Sequence, residues 1–141
     1  MKALFASVGL AASVLLSAVP ASATPGTGVQ VETLSKNTVD GMDYIVTKIT
    51  VAPGGGTGWH YHPGEVFGFI SEGAMTHYDG NCQVDDVYDT GAPVKEGVGP
   101  GFVHNGRNQG TTPLVMEVVH INPLGTPLSV EVPEPGNCSI P

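Results

Sequence analysis

The sequence predicts a single all-β domain, either a sandwich or a barrel. Three observations carry this. Short apolar stretches recur between turn-forming residues, and the chain holds 20 Gly and 12 Pro; that punctuation is the signature of many short strands. Several of the stretches alternate apolar and polar residues with period two. Outside an apolar run at the N-terminus, no window has a helical period.

Taken in order, the N-terminus comes first. Lys2 precedes an apolar run from Ala3 to Val19, then Pro20 and the small residues Ala21-Ser22-Ala23. This is the pattern of a cleaved signal peptide over residues 1–23, with a mature domain over residues 24–141. The run is short for a bilayer span and acidic Thr/Gly-rich sequence follows it, so no membrane attachment is expected after cleavage. No Cys stands at the cleavage position to carry a lipid. The expected localisation is secreted, by a Sec-type route that suggests a bacterial source.

Tyr44 to Val51 alternates, with Ile45, Ile49 and Val51 on one face and Lys48 on the other, until Pro53-Gly54-Gly55-Gly56. Val66 to Ser71 is a short apolar run stopped by Glu72-Gly73. Ala74 to Tyr78 turns at Asp79-Gly80, a hairpin signal, towards a further strand over Val84 to Tyr88. Leu114 to Ile121 is the longest apolar strand and ends at Pro123. The tail from Pro133 to Pro141 is rich in proline and reads as irregular.

Formal net charge is −8, and loss of Lys2 with the leader makes the mature chain more negative still. Nucleic acid is excluded as a partner, because phosphate contacts need clustered Lys and Arg. In an exported chain the two cysteines, Cys82 and Cys138, read as a disulfide. It would tie the tail to an internal loop and contribute about 4 kcal/mol on chain-entropy grounds. The sequon Asn137-Cys138-Ser139 is discounted, since a disulfide there limits access.

The segment Gly54 to Gly73, GGGTGWHYHPGEVFGFISEG, is the most informative. His60 and His62 stand two apart, so in a strand both point to one face. Two imidazoles so placed can supply neighbouring ligands to Fe, Mn, Cu, Zn or Ni. Further on come Gly101-Phe102-Val103-His104 and Asn105-Gly106-Arg107-Asn108. Together these segments resemble the paired motifs of the cupin superfamily, small secreted single-domain members of uncharacterised activity in particular. The first motif matches at Gly54, His60, His62 and Gly73, and the second at Gly101, His104 and Asn108. The resemblance implies a cupin-type jelly-roll barrel, a double-stranded β-helix. It also implies a divalent transition metal in the lumen, held by His60, His62 and His104.

The first motif's glutamate usually stands seven residues before its closing Gly, which here is Val66. Glu65 is displaced by one position, and one residue of shift turns a side chain to the opposite face. Glu65 therefore joins the ligands only if the Pro63-Gly64 bend absorbs the offset. His120 shares a face with Leu114, Met116 and Val118, which points it into the barrel as a group beside the ligands or a proton acceptor. His77 is expected at the surface or rim. Tyr61, Phe67 and Phe69 are expected to pack, and an uncovered face bearing Phe67 and Phe69 would suit a homodimer. Arg107 is expected to point away from the lumen.

An ion held by three histidines keeps positions open for a ligand. Two functions follow from that expectation. One is a metal-dependent enzyme of oxygenase-like, oxidative or isomerase type acting on a small organic molecule. The other is a non-catalytic module that binds metal or a small ligand. An apolar lumen lined by Val66, Ile70, Met116 and Val118 suits a small neutral or weakly polar ligand.

Overall fold

The alternation that begins at Met42 does not stop at the glycines. In the computed structural model, which describes residues 23–136, 138 and 140, β2 runs over Met42–Gly56 and carries the chain through Pro53 and the three glycines. Gly54 adopts φ +76 and Gly55 passes so close to Thr27 that a Cβ would lie 2.5 Å from its carbonyl oxygen. Glycine lets the strand bend sharply here without ending. Inward residues of β2 are Ile45, Thr47 and Val51, all buried, while Lys48 is exposed. The expected signal peptide lies outside the described residues apart from Ala23, as do Asn137 and Ser139 of the sequon.

The remaining strands are β1 (Thr27–Val39), β3 (His60–Tyr61), β4 (Glu65–Glu72), β5 (Ala74–Asp79), β6 (Val84–Asp89), β7 (Pro93–Glu96), β8 (His104–Arg107), β9 (Leu114–Pro123) and β10 (Val130–Glu131). One face of the fold is built in the order β1-β2-β9-β4-β7, and the other in the order β10-β3-β8-β5-β6. The Gly56–Arg107 pair joins them between β2 and β8. The result is a nearly closed barrel of antiparallel strands, the cupin-type jelly roll that the motifs imply.

The core fills the barrel interior and borders the histidines. Val51, Val66, Ile70, Met75, Val94, Leu114, Met116 and Val118 form one buried cluster, contributed by five strands that each send in alternate residues. β4 reaches its partner without a side chain in the way at Gly68, where a Cβ would stand 2.2 Å from the Glu117 carbonyl oxygen. Asn108, the last residue of the second motif, is buried and bonds only to backbone. Its Nδ2 donates to the carbonyls of Val51 and Thr112, and its Oδ1 accepts from the Gly110 amide. It therefore fastens the loop before β9 to the end of β2.

The structure adds one strand to the sequence reading and changes one expectation. β1 is a long strand exposed along nearly its whole length, with Val29 partly buried against the core. Phe67 and Phe69 do not pack inward. They lie exposed on the outer side of β4, beside Val119 of β9.

Cys82 and Cys138 are bonded. The tail is also held by β10 on β3 and by the Val132 amide on the Trp59 carbonyl. Replacing both cysteines by serine should lower unfolding free energy by about 2–4 kcal/mol in denaturant melts, on the loop-closure argument; an unchanged midpoint would assign the tail's attachment to β10 alone. Gly68→Ala should cost about 3 kcal/mol or more, because the obstruction is backbone and cannot repack.

Candidate metal centre

The register of β3 on β8 places His60 directly opposite His104. His62 lies two residues beyond His60, with its carbonyl accepting from the Gly99 amide. Both His60 and His62 are buried, and so is His104. The ring centroids of His60 are 4.9 Å from His62 and 4.3 Å from His104, and those of His62 and His104 are 5.2 Å apart.

Each of the three rings is oriented by a backbone carbonyl. Nδ1 of His60 donates to Gly58 O at 2.9 Å, Nδ1 of His62 to Leu128 O at 2.8 Å, and Nδ1 of His104 to Phe102 O at 2.8 Å. A proton fixed on Nδ1 leaves the lone pair on Nε2. The histidines offer ligand atoms within 4.8 Å of one another, the arrangement that one ion bonded to three imidazoles requires. Burial and the neighbouring rings keep them neutral. His60 is lowered to about 3 by burial first and by the charge of His104 second. His62 and His104 are lowered chiefly by burial. The residues present thus fit a divalent transition metal.

Glu65 is not with them. It is exposed, on the outer side of β4, because its neighbour Val66 is the inward residue and the Pro63-Gly64 bend does not absorb the offset. The carboxylate near the histidines comes instead from Glu96 on β7. Val66, the position where the motif carries its glutamate, pairs directly with Glu96. Glu96 Oε2 stands 3.7 Å from Nε2 of His104 and 3.2 Å from Nε2 of His77. Burial alone would raise its pKa, but the contact with His77 and the charges of His104 and His77 bring it to about 2.

His77 also differs from expectation. It is buried, between Glu96 on one side and Asp85, which its Nδ1 contacts, on the other. Burial works to lower its pKa, yet the two carboxylates raise it to about 9. Its ring stacks on His104 at 5.0 Å. Sequence reasoning missed both residues. The available signal was period two: His77 shares a face with buried Met75, and Glu96 with buried Val94.

His120 points inward as its neighbours predict, at 5.8 Å from His62 between ring centroids. Its Nε2 lies 3.2 Å from Thr47 Oγ1, while its Nδ1 is buried without a hydrogen-bond partner. Burial, then the charge of His62, lower it to about 4. All five histidines of the chain therefore line one inner cavity of about 60 Å³. Its other walls are mainly apolar, among them Val66, Met116 and Val118, and no described Lys or Arg contributes. Arg107 is outside this lining, with its Nη2 donating to Gly54 O.

No family model matches the chain, and no curated protein is significantly similar to it. Solved structures share its fold. A double-stranded β-helix protein from Klebsiella pneumoniae superposes with TM-score 0.59 at 21% identity, over 74% of this chain and 84% of that one. A cupin domain from Bordetella pertussis gives 0.56 at 23% identity, over 67% and 94%. An oxalate oxidase in complex with glycolate gives 0.58 at 21% identity, over 74% of this chain and 55% of that one. The chain has the cupin fold.

The charge states dictate how stability varies with pH. His60, His62, His104 and His120 have folded pKa values below the 6.5 of a free imidazole. Below pH 6.5 the unfolded chain binds protons that the folded chain does not, so stability falls with acid. Glu96 adds a loss between pH 4.5 and about 2. His77 has the opposite sign: from pH 6.5 to about 9 only the folded chain keeps its proton, so stability falls as pH rises through that window. Calorimetry of ion-free protein should give the highest Tm near pH 6.5, with the acid limb steeper than the alkaline one. A Tm still climbing from pH 6.5 to 9 would contradict the charge assigned to His77.

Proposed function

We propose that the protein is an exported cupin that holds one divalent transition-metal ion in its lumen through Nε2 of His60, His62 and His104, and acts there on a small organic molecule. The observation that carries this is the set of three Nδ1–carbonyl bonds, which commits three convergent Nε2 atoms to the lumen. Such an ion supplies Lewis-acid or redox chemistry at its open positions. Fe, Mn, Cu, Zn and Ni all accept imidazole, and the donor set does not choose among them. The disulfide is compatible with an extracellular protein.

The chain's own residues restrict what can react. The inner cavity is small enough to limit the ion's open positions to water-sized or few-atom ligands. With no described Lys or Arg in its lining, it lacks a clamp for an acid, and the Glu96 carboxylate opposes one. A small neutral or weakly polar molecule is favoured. His120 keeps an uncharged ring in this cavity with an uncommitted Nδ1, a place to which a bound molecule can pass a proton. Two neighbours of the fold, an oxalate oxidase holding glycolate and an oxalate decarboxylase holding formate, bind molecules of a few atoms. The cramped lumen also favours a second reading, a non-catalytic module that captures metal or a small ligand.

Elemental analysis of protein exported to an oxidising compartment and then dialysed exhaustively tests the site. Wild type should retain close to one ion per chain, and His60→Ala/His62→Ala and His104→Ala less than a tenth of one. Retained Fe, Mn or Cu directs the screen to dioxygen consumption, and Zn or Ni to hydrolysis or isomerisation. Turnover abolished by His104→Ala establishes the enzyme; an ion without turnover leaves the binding module. Wild type that holds none of the candidate ions after incubation defeats the metal-centre reading.

A further inference from the structure

His77, Glu96 and His104 each line two cavities. On one side is the small apolar lumen. On the other is a cleft of about 820 Å³, walled by Asp79, Asp85, Tyr88 and Phe102 and by Val132 and Pro133 of the tail. The three residues are thus a partition between an acidic, wider cleft and the inner site.

This partition has the make-up of a cation site. The ligand atoms of His77, Glu96 and His104 all lie within 4.8 Å of one another. Two of the spacings, 3.2 Å and 3.7 Å from Glu96 Oε2 to the two Nε2 atoms, suit a four-coordinate ion. Bonds of about 2.1 Å put tetrahedral ligand atoms about 3.4 Å apart. Both rings are held for this use. Asp85 holds Nδ1 of His77, and the Phe102 carbonyl holds Nδ1 of His104. A carboxylate behind a histidine is a common support for a ligating ring. His77 is 6% exposed, and its Nε2 is directed at Glu96 without an aligned hydrogen bond. In the ion-free protein this Nε2 carries a proton and is paired with Glu96, so a cation bound here displaces that proton to solvent.

We propose that His77, Glu96 and His104 form a second, outer position for a divalent cation, through which an ion captured in the acidic cleft reaches His60, His62 and His104. The proposal rests on the lumenal site described above, for which it supplies the entrance. His104 belongs to both groups and has one Nε2, so the two positions cannot be filled together. An ion moving inward keeps His104 while it exchanges His77 and Glu96 for His60 and His62. Asp79 and Asp85 raise the local cation concentration at the mouth, while Lys95 on the same rim opposes it.

Titration of ion-free protein with Co²⁺, followed by visible absorption and calorimetry, separates the two positions. Wild type should saturate at one ion per chain. His60→Ala/His62→Ala, which keeps only the outer group, should still take up one ion, at least tenfold more weakly. Adding Glu96→Gln to that variant should abolish uptake. In stopped-flow mixing, His77→Ala should slow loading of the inner site at least fivefold. If the double variant is folded by circular dichroism yet binds no Co²⁺ while wild type binds one, the outer position falls and the lumenal site stands. Should the double variant not fold, His60→Gln/His62→Gln replaces it with the same two outcomes. Two ions per wild-type chain would overturn the sharing of His104, and loading of His77→Ala at the wild-type rate would overturn the passage. No ion in any protein would remove the lumenal reading itself.

Discussion

The pairing of His60 with His104 across β3 and β8 is the constraint on which the centre depends. Opposite residues on neighbouring antiparallel strands hold their Cβ atoms about 5 Å apart on one face, so this single register puts two imidazoles side by side from segments distant in sequence. His62 then follows from period two. β3 is only two residues long, too short to fix a register alone. β10 on its other edge, the Gly56–Arg107 pair beyond it and the tail bonded to Cys82 hold it in place. The glycines that let β2 bend towards β8 and the disulfide at the opposite end of the chain therefore serve the same two-residue strand.

Electrostatics then divide the five histidines into two kinds. At His60, His62, His104 and His120 burial wins: a charged imidazole loses hydration that a carbonyl dipole, or at His104 one carboxylate 3.7 Å away, does not replace, and these rings stay neutral. Where two carboxylates face the ring, as at His77, their attraction exceeds the cost of burial and the ring is charged. These states suit their surroundings, since a lumen of neutral rings with free Nε2 lone pairs can accept a cation, whereas a lumen of imidazolium groups would repel it. The price is sensitivity to acid, because protonating the same rings in the unfolded chain favours unfolding.

How much of this was legible follows from the range of the interactions involved. His60 and His62 could be paired from sequence because the rule that joins them is local. His104 needed the spacing of a second motif, and His120 needed only its neighbours Met116 and Val118. The fold class was legible for the same reason, since alternation and turn residues are short-range signals. β1 was not, although Val29-Gln30-Val31-Glu32 alternates there, because the strand is almost wholly exposed and carries no apolar run. His77 was read as a rim residue from its nearness to the Asp79-Gly80 turn, although it shares a face with Met75. Its burial depends on Asp85 from β6 and Glu96 from β7, neither of which is local to it. Phe67 and Phe69 were misjudged by composition: size and apolarity suggested packing, while period two from Val66 already sent them outward.

The carboxylate shows most plainly what a linear motif cannot express. A motif records a residue at an offset along one strand, but the lumen is indifferent to which strand delivers an oxygen. Val66 and Glu96 are cross-strand partners on β4 and β7, so their side chains leave the sheet on the same face and nearly the same place. A valine at the first position leaves room, and a glutamate at the second fills it with a chain long enough to reach His104. Glu65, one step along β4, is closer in sequence and yet on the wrong side of the sheet, because a displacement of one residue reverses the face and a displacement across the ladder does not. The same move changes the chemistry on offer. A carboxylate arriving from β7 stands at the boundary with the outer cleft and meets His77, so it is shared between the lumen and the approach to it.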